Sequence, residues 1–463
     1  TGGNNIAVGY RALTANQTGN YNVAMGVDAL KNTVASTNTA VGHNAMNVNS
    51  TGTNNVALGA YALDANTTAS HNTAIGTNAL TVNTTGTSNV SVGRGSLGSN
   101  TTANYNTAVG DLALNSNATG AENTAVGSNA LENNTASQNT AVGHDASQAN
   151  TTGAHNTAVG AFSQHLNTTG SHNTSVGKSS LGYNTTGDYN TALGRNAMNA
   201  NTTANYNTAV GYQALYANTT GAQNTAVGGS ALDANTTASF NTALGYQTLS
   251  TNTTGYDNVA VGNDALLSNS TGAENVAVGK QSLDANTTGI KNVAIGKYSL
   301  SGNTTGGSNT AVGDQALFTQ TGADHNIAVG RSVLYSNTTG TKQVAIGNYA
   351  LYDNTTGSQN TALGYGTLAN NTTASNNTAI GFESLTQNTT GTYNTAVGYK
   401  TLDANTAGNW GTAVGYDSLT NNNGTENTAI GGNSLKNNTT GGYNTACGIS
   451  ALESNTTASN NTA

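Results

Sequence analysis

Asn-Thr-Thr is the chemically loaded triplet of this chain. Asn followed two residues later by Thr or Ser is an acceptor for N-linked sugar. The triplet recurs at Asn66, Asn83, Asn100, Asn150, Asn167, Asn184, Asn218 and Asn235, among others. Exposed turns of secreted proteins are where such acceptors belong. Covalent or bound glycans on these turns are therefore one expectation, and good turn chemistry without sugar is the other. His155 and His172 stand 17 residues apart, with His144, Asp145 and His165 nearby. Stacked imidazoles can share a metal ion, but scattered surface histidines read more simply, so no metal is assigned. Cys447 is the single cysteine, which rules out an intrachain disulfide. It takes a place otherwise held by Val, Ile, Leu or Met, so it reads as a small buried hydrophobe. No Ser/His/Asp set or carboxylate pair recurs, and the glycine spacing is not that of a phosphate loop. The expectation is no enzyme and no cofactor.

The spacing of these residues comes from a repeat. Asn207-Thr-Ala-Val-Gly211 returns as Asn224-Thr-Ala-Val-Gly228 and as Asn241-Thr-Ala-Leu-Gly245, a step of 17. Aligned throughout, residues 5–460 form 27 repeats in one continuous repeat domain. Residues 1–4 and 461–463 read as partial repeats of a longer chain. Three repeats, those opening at Asn22, Asn123 and Gly411, have 16 residues, and each lacks one residue in its second half. That half should be a turn that tolerates length changes.

Each position of the repeat has a physical meaning. Position 2 is Thr, Val or Ile in every repeat, and position 4 is apolar throughout. Free exchange among β-branched shapes predicts a β-strand. Alternation places positions 2 and 4 on one face, expected to be the core. Position 5 is Gly in all 27 repeats, which predicts positive φ or close backbone approach. Leu or Met at position 9 is expected to pack from a second short strand on the opposite wall. Asn at position 1 and Asn-Thr-Thr-Gly at positions 12 to 15 suit corners, and stacked Asn side chains can bond one another along the axis. The fold class expected is all-β, a parallel β-solenoid (β-roll) of about 27 stacked coils.

Composition agrees. Charged residues are 7% of the chain, against roughly 25% in ordinary domains. Proline, which cannot donate to a backbone ladder, is absent. A net charge of −8 with no basic patch disfavours nucleic acid and anionic membranes as partners. No apolar run approaches the roughly 20 residues that span a bilayer.

Position 3 is Ala in 25 repeats and Ser in two, Ser91 and Ser175. Read as the outer strand face, this row of small residues (Ala108, Ala125, Ala141, Ala158, Ala192, Ala209 and Ala226) is expected to pack against other copies of the chain, a trimer being the favoured form. The alternative is that a narrow coil needs a small residue there for its own geometry. Aromatics gather at positions 6 and 17, Tyr189, Tyr206, Tyr393 and Trp410 among them. They read as turn residues covering the core, with stacking against sugars as the other possibility.

Asn258-Val-Ala-Val-Gly262 and Asn292-Val-Ala-Ile-Gly296 resemble the head repeats of YadA-like trimeric autotransporter adhesins and the repeats of phage tail-fibre proteins. The repeat here is longer by an Asn-Thr-Thr-Gly turn. The resemblance implies a left-handed parallel β-roll, trimeric assembly and surface attachment, with no catalytic residue. The function expected is therefore that of an extracellular fibre or filament segment, an adhesin stalk or tail-fibre shaft. A glycan-binding solenoid is the alternative. Ice binding ranks lower, because the Thr at position 2 is read as pointing inward.

Overall fold

The structure is a computed structural model that describes residues 2–463. It is an all-β parallel β-solenoid. The chain divides into two compact units, Thr1–Ser230 and Ala231–Ala463, each taken separately below. The first holds strands β1 (Ile6–Val8) to β14 (Thr225–Val227). The second holds β15 (Thr242–Leu244) to β27 (Thr445–Cys447). Every strand is three residues long, positions 2 to 4 of one repeat. Within each unit a strand pairs in parallel with its counterpart one repeat on, residue for residue: Thr191 with Thr208, Ala192 with Ala209, Leu193 with Val210. The shorter repeats keep this register, Val23 lying opposite Thr39 and Thr412 opposite Thr428. Their deletion is absorbed at the turn, where the amide of Asn134 reaches a carbonyl two residues on instead of the usual three.

Only one strand forms per repeat; the expected second strand is a series of turns. Positions 7, 9 and 17 have positive φ, nearly always in residues other than glycine, as in Gln213 (54°), Leu215 (52°) and Tyr206 (60°). Left-handed backbone costs an L-residue about 1–2 kcal/mol. At position 9 the burial of Leu, worth about 1.5–3 kcal/mol, offsets that cost. The turns are laddered as thoroughly as the strands. Leu63 donates its N–H to Ala79 O, Tyr61 to His43 O, and Thr84 to Thr101 O. A proline would break such a bond at almost every position, which accounts for its absence.

The strand is turned over relative to the sequence expectation. Position 3 faces the interior and positions 2 and 4 face out. Ala108, Ala125, Ala141, Ala158, Ala192, Ala209 and Ala226 have no exposed surface. They line the core with Leu at position 9 and Ala or Ser at position 8. They are not an outer stripe and cannot meet another chain. The reason is the width of the coil. Ser91, replacing Ala at position 3, hydrogen-bonds Ser96 at position 8 of its own coil. The two walls touch, so the lumen admits Ala there and excludes Val or Leu. Cys447, at position 4, is accordingly exposed and not a buried hydrophobe.

Gly at position 5 behaves as expected. Gly211 has φ of 137°, and a Cβ there would lie 2.5 Å from the carbonyl oxygen of Gly228 in the next coil.

Candidate functional site

Two Asn rails hold the coils in register. At position 1, Asn55 Oδ1 accepts the backbone N–H of Asn72, and Asn72 Nδ2 donates to Gly86 O closing its own coil. At position 12, Asn66 Nδ2 gives one proton to Asn49 Oδ1 (2.8 Å) and the other to Ala69 O (3.1 Å). Fully satisfied buried amides of this kind rigidify and specify a core. Where Gln320 replaces Asn, its Oε1 accepts from Asn326 and Asn337, but Asn303 Oδ1 is left without a partner.

The position 12 rail is the same set of residues as the candidate glycosylation sites, and it places them inside. Asn66, Asn83, Asn100, Asn150, Asn167, Asn184, Asn218 and Asn235 have no exposed surface. Their amides point at neighbouring coils or turns, as Asn83 to Asn66, Asn100 to Asn83, Asn150 to Asn134, Asn184 to Asn167 and Asn218 to Asn201. Asn235 donates to Ala238 O. In the folded coil no transferase reaches these nitrogens. The Thr at position 13 is also engaged, Thr67 Oγ1 donating to Thr84 O.

The outward strand face runs along each unit. Position 4 supplies Leu58 (46% exposed), Val176 (39%), Leu193 (38%), Ile295 (40%) and Ile430 (45%). Position 2 adds half-buried Thr with exposed Val56, Val259 and Ile327. In-register pairing aligns them in two parallel rows at the coil spacing of about 4.8 Å. Contiguous exposed apolar rows of this kind mark interaction surfaces.

Aromatics form ladders along other faces. In the first unit His155, His172, Tyr189 and Tyr206 at position 17 stack in sequence, with ring centroids 4.8, 4.8 and 5.0 Å apart. His155 and His172 are thus brought together face to face, which aims their ring nitrogens alongside one another instead of at a common point. His165 lies elsewhere, its Nδ1 3.3 Å from Asp145 O, and His144 Nδ1 is 3.2 Å from an Asp145 carboxylate oxygen. Among the described residues no three His, Cys, Asp or Glu side chains converge as metal ligands. In the second unit Tyr365, Phe382, Tyr399 and Tyr416 stack at 5.5, 5.5 and 5.2 Å, and Trp410 lies 4.3 Å from Tyr393. In these stacks the rings cover one another's faces, a role that sequence reading missed.

Ion pairs cross between coils. Arg11 holds the Asp28 carboxyl below the usual carboxylate range by hydrogen bonding. At position 10, Asp64, Asp233, Asp284 and Asp403 shift the other way, because burial penalises the charged form. Among the described residues no helix is long and apolar enough to cross a membrane. No family model matches the chain, and no curated protein matches it either.

Proposed function

We propose that this chain is a shaft segment of an extracellular fibre or filament, an adhesin stalk or tail-fibre shaft, whose copies associate through the outward strand face. Its task is to be a stiff spacer, not an enzyme. The carrying observation is the pair of exposed rows at positions 2 and 4, apolar at position 4 in every repeat while outward positions on other faces vary freely. Covering a Val or Ile that is about two-fifths exposed gains on the order of 1 kcal/mol. Summed over successive coils, that gain exceeds what rigid association costs. Parallel in-register rows on each copy make the surface self-complementary, and the resemblance to YadA-like and tail-fibre repeats favours three copies around the apolar rows. The same resemblance favours a cell surface or a virion as its location.

Cys447 supplies the test, because it is exposed at position 4. Copies meeting in register bring their Cys447 thiols together. Mild copper-catalysed oxidation should then yield a crosslinked species of twice 46.2 kDa on a non-reducing gel. A product that stays single-chain would remove in-register association.

A second reading is favoured by the outward Thr. Thr107, Thr124, Thr140, Thr157, Thr174, Thr191, Thr208 and Thr225 occupy position 2 of eight successive coils. A regular row of hydroxyls and methyls about 4.8 Å apart is a surface that can order water as ice does. Thermal hysteresis in a solution of the chain would favour this reading over self-association.

A further inference from the structure

We propose that a cleft on the turn face of the first unit binds a single neutral hexopyranose ring. The cleft has a volume of about 150 Å³ and is lined by Phe162, His165, Ser179, Gly182, Tyr183 and Asn199. It lies on the turns of three successive coils, away from the strand rows assigned to self-association.

Its origin is a missing side chain. Position 10 of these coils is filled by His165, Gly182 and Asn199 in turn. Gly182 puts no side chain between a histidine and an asparagine two coil steps apart, about 10 Å at 4.8 Å per step, and the Asn199 amide reaches over it, 2.8 Å from where a Cβ would stand. The space that remains, about 150 Å³, is of the size of one six-membered sugar ring. Phe162 stands on one side, its ring edge-on to His165 at 5.6 Å. Tyr183 stands on the other and is exposed. The aromatic rings offer apolar surface to the C–H groups of a pyranose.

The polar groups are set by bonds to the preceding coil. Asn199 is nearly buried, and its Nδ2 donates to Ser179 O at 2.7 Å, which leaves Oδ1 as the acceptor of the amide. His165 Nδ1 faces the carbonyl of Asp145 at 3.3 Å. A carbonyl only accepts, so Nδ1 carries the proton and Nε2 is the acceptor of the neutral ring. The Ser179 and Tyr183 hydroxyls both donate and accept. The lining has acceptors for sugar hydroxyl protons, donors for sugar oxygens, and no Asp, Glu, Lys or Arg. A neutral polyol suits this set, whereas an anionic sugar finds no cation in the cleft. A few convergent polar groups in an otherwise apolar concavity are the usual composition of a small-molecule site.

The second cleft of this unit provides the contrast. It opens where Gly95 and Gly98 leave positions 7 and 10 bare, but Arg94 stands on its rim and no aromatic residue lines it. The same kind of gap without a ring-shaped wall should not hold a sugar.

The test is saturation-transfer NMR on the full chain with the methyl glycosides of glucose, galactose and mannose. At least one should bind saturably with a Kd on the order of 1–10 mM, as a one-ring ligand in an open cleft allows. Gly182→Tyr plugs the cleft, and the position accepts the side chain, since Tyr335 stands at the same place in another coil; the new Cβ, 2.8 Å from the Asn199 amide, displaces that amide from Ser179 O. It should weaken binding at least tenfold while the chain still melts as a folded protein, and Phe162→Ala, which leaves the Asn199 bond in place, should weaken binding as much. Gly98→Tyr should change nothing. The proposal is overturned if none of the three glycosides binds saturably, or if Gly182→Tyr binds as wild type does. The cleft belongs to one chain, so a failure of self-association leaves this test intact.

Discussion

Asn167 gives an amide proton to Asn150 Oδ1 across 2.8 Å, one coil to the next, with both side chains fully buried. Asn167→Asp would replace this donor with an oxygen facing an oxygen, inside the core. An uncompensated buried acceptor or charge costs about 3 kcal/mol or more. In a stacked repeat the loss is local. Amide hydrogen exchange should therefore accelerate in the coils around Asn167 and not in distant ones. Uniform protection throughout would show that the rail contributes nothing. The same burial predicts that, in chain secreted from a glycosylating host, the peptides that carry these Asn keep their unmodified mass, whereas the exposed acceptors Asn133 and Asn423 stay open to sugar.

Ala209 and Val210 are neighbours on opposite faces, and lysine substitutions should separate them. Ala209→Lys forces a charged chain into a site with no exposed surface and should destabilise by more than about 4 kcal/mol. Val210→Lys meets solvent and should leave the single chain's stability within about 0.5 kcal/mol. Thermal melts at concentrations where the chain is monomeric decide between them. Equal effects would contradict the inward alanine.

Gly211→Val adds a Cβ 2.5 Å from Gly228 O at a φ of 137°. Backbone strain and clash together should cost about 3 kcal/mol or more. The reading is a loss of exchange protection in β13 (Thr208–Val210) and its neighbours. Retention of full protection would mean that the invariant glycine answers to something other than this approach.

Much of this was legible in the sequence and one decisive part was not. Gly211 and Leu215 announced a turn and a core contact, and both are as expected. Period-two alternation correctly set Ala209 against Thr208 and Val210, but alternation does not say which face is inside. Hydrophobicity favoured Val210 as core; the width of the lumen, visible only in contacts such as Ser91 with Ser96, decided for Ala209. The eighteen Thr at position 2 were the available hint, since so many hydroxyls suit a half-exposed face better than a sealed one. Leu at positive φ is too uncommon for sequence to suggest, so the turns of the second half read as a strand. The cleft at Gly182 was invisible, because it depends on what stands one coil before and one coil after.

Asp284 should make stability depend on pH in an unusual direction. Burial raises its folded pKa above the ordinary value of 3.8, so the folded state prefers the proton. The stability associated with the protonated group is present below 3.8 and is lost as pH rises through the folded value. Asp284→Asn removes the charge. At the same position, Asn199 donates to a backbone carbonyl of the preceding coil, and the new amide can do likewise. The variant should be more stable than wild type at pH 7 by about 1 kcal/mol, and the difference should shrink on acidification below the carboxylate range. Melting curves at pH 7 and pH 3 check the sign, and a variant less stable at pH 7 would contradict it.

Sedimentation equilibrium of the purified chain is the most direct measurement on the claim that copies meet through the outward rows at positions 2 and 4. The account predicts a mass that is an integral multiple of 46.2 kDa, three being the favoured number. It also predicts a return to the single-chain mass when Val126, Val142, Val159 and Val176 are replaced together by Lys. A wild-type chain that sediments as a monomer at micromolar concentration, or a lysine variant that stays associated, would contradict it.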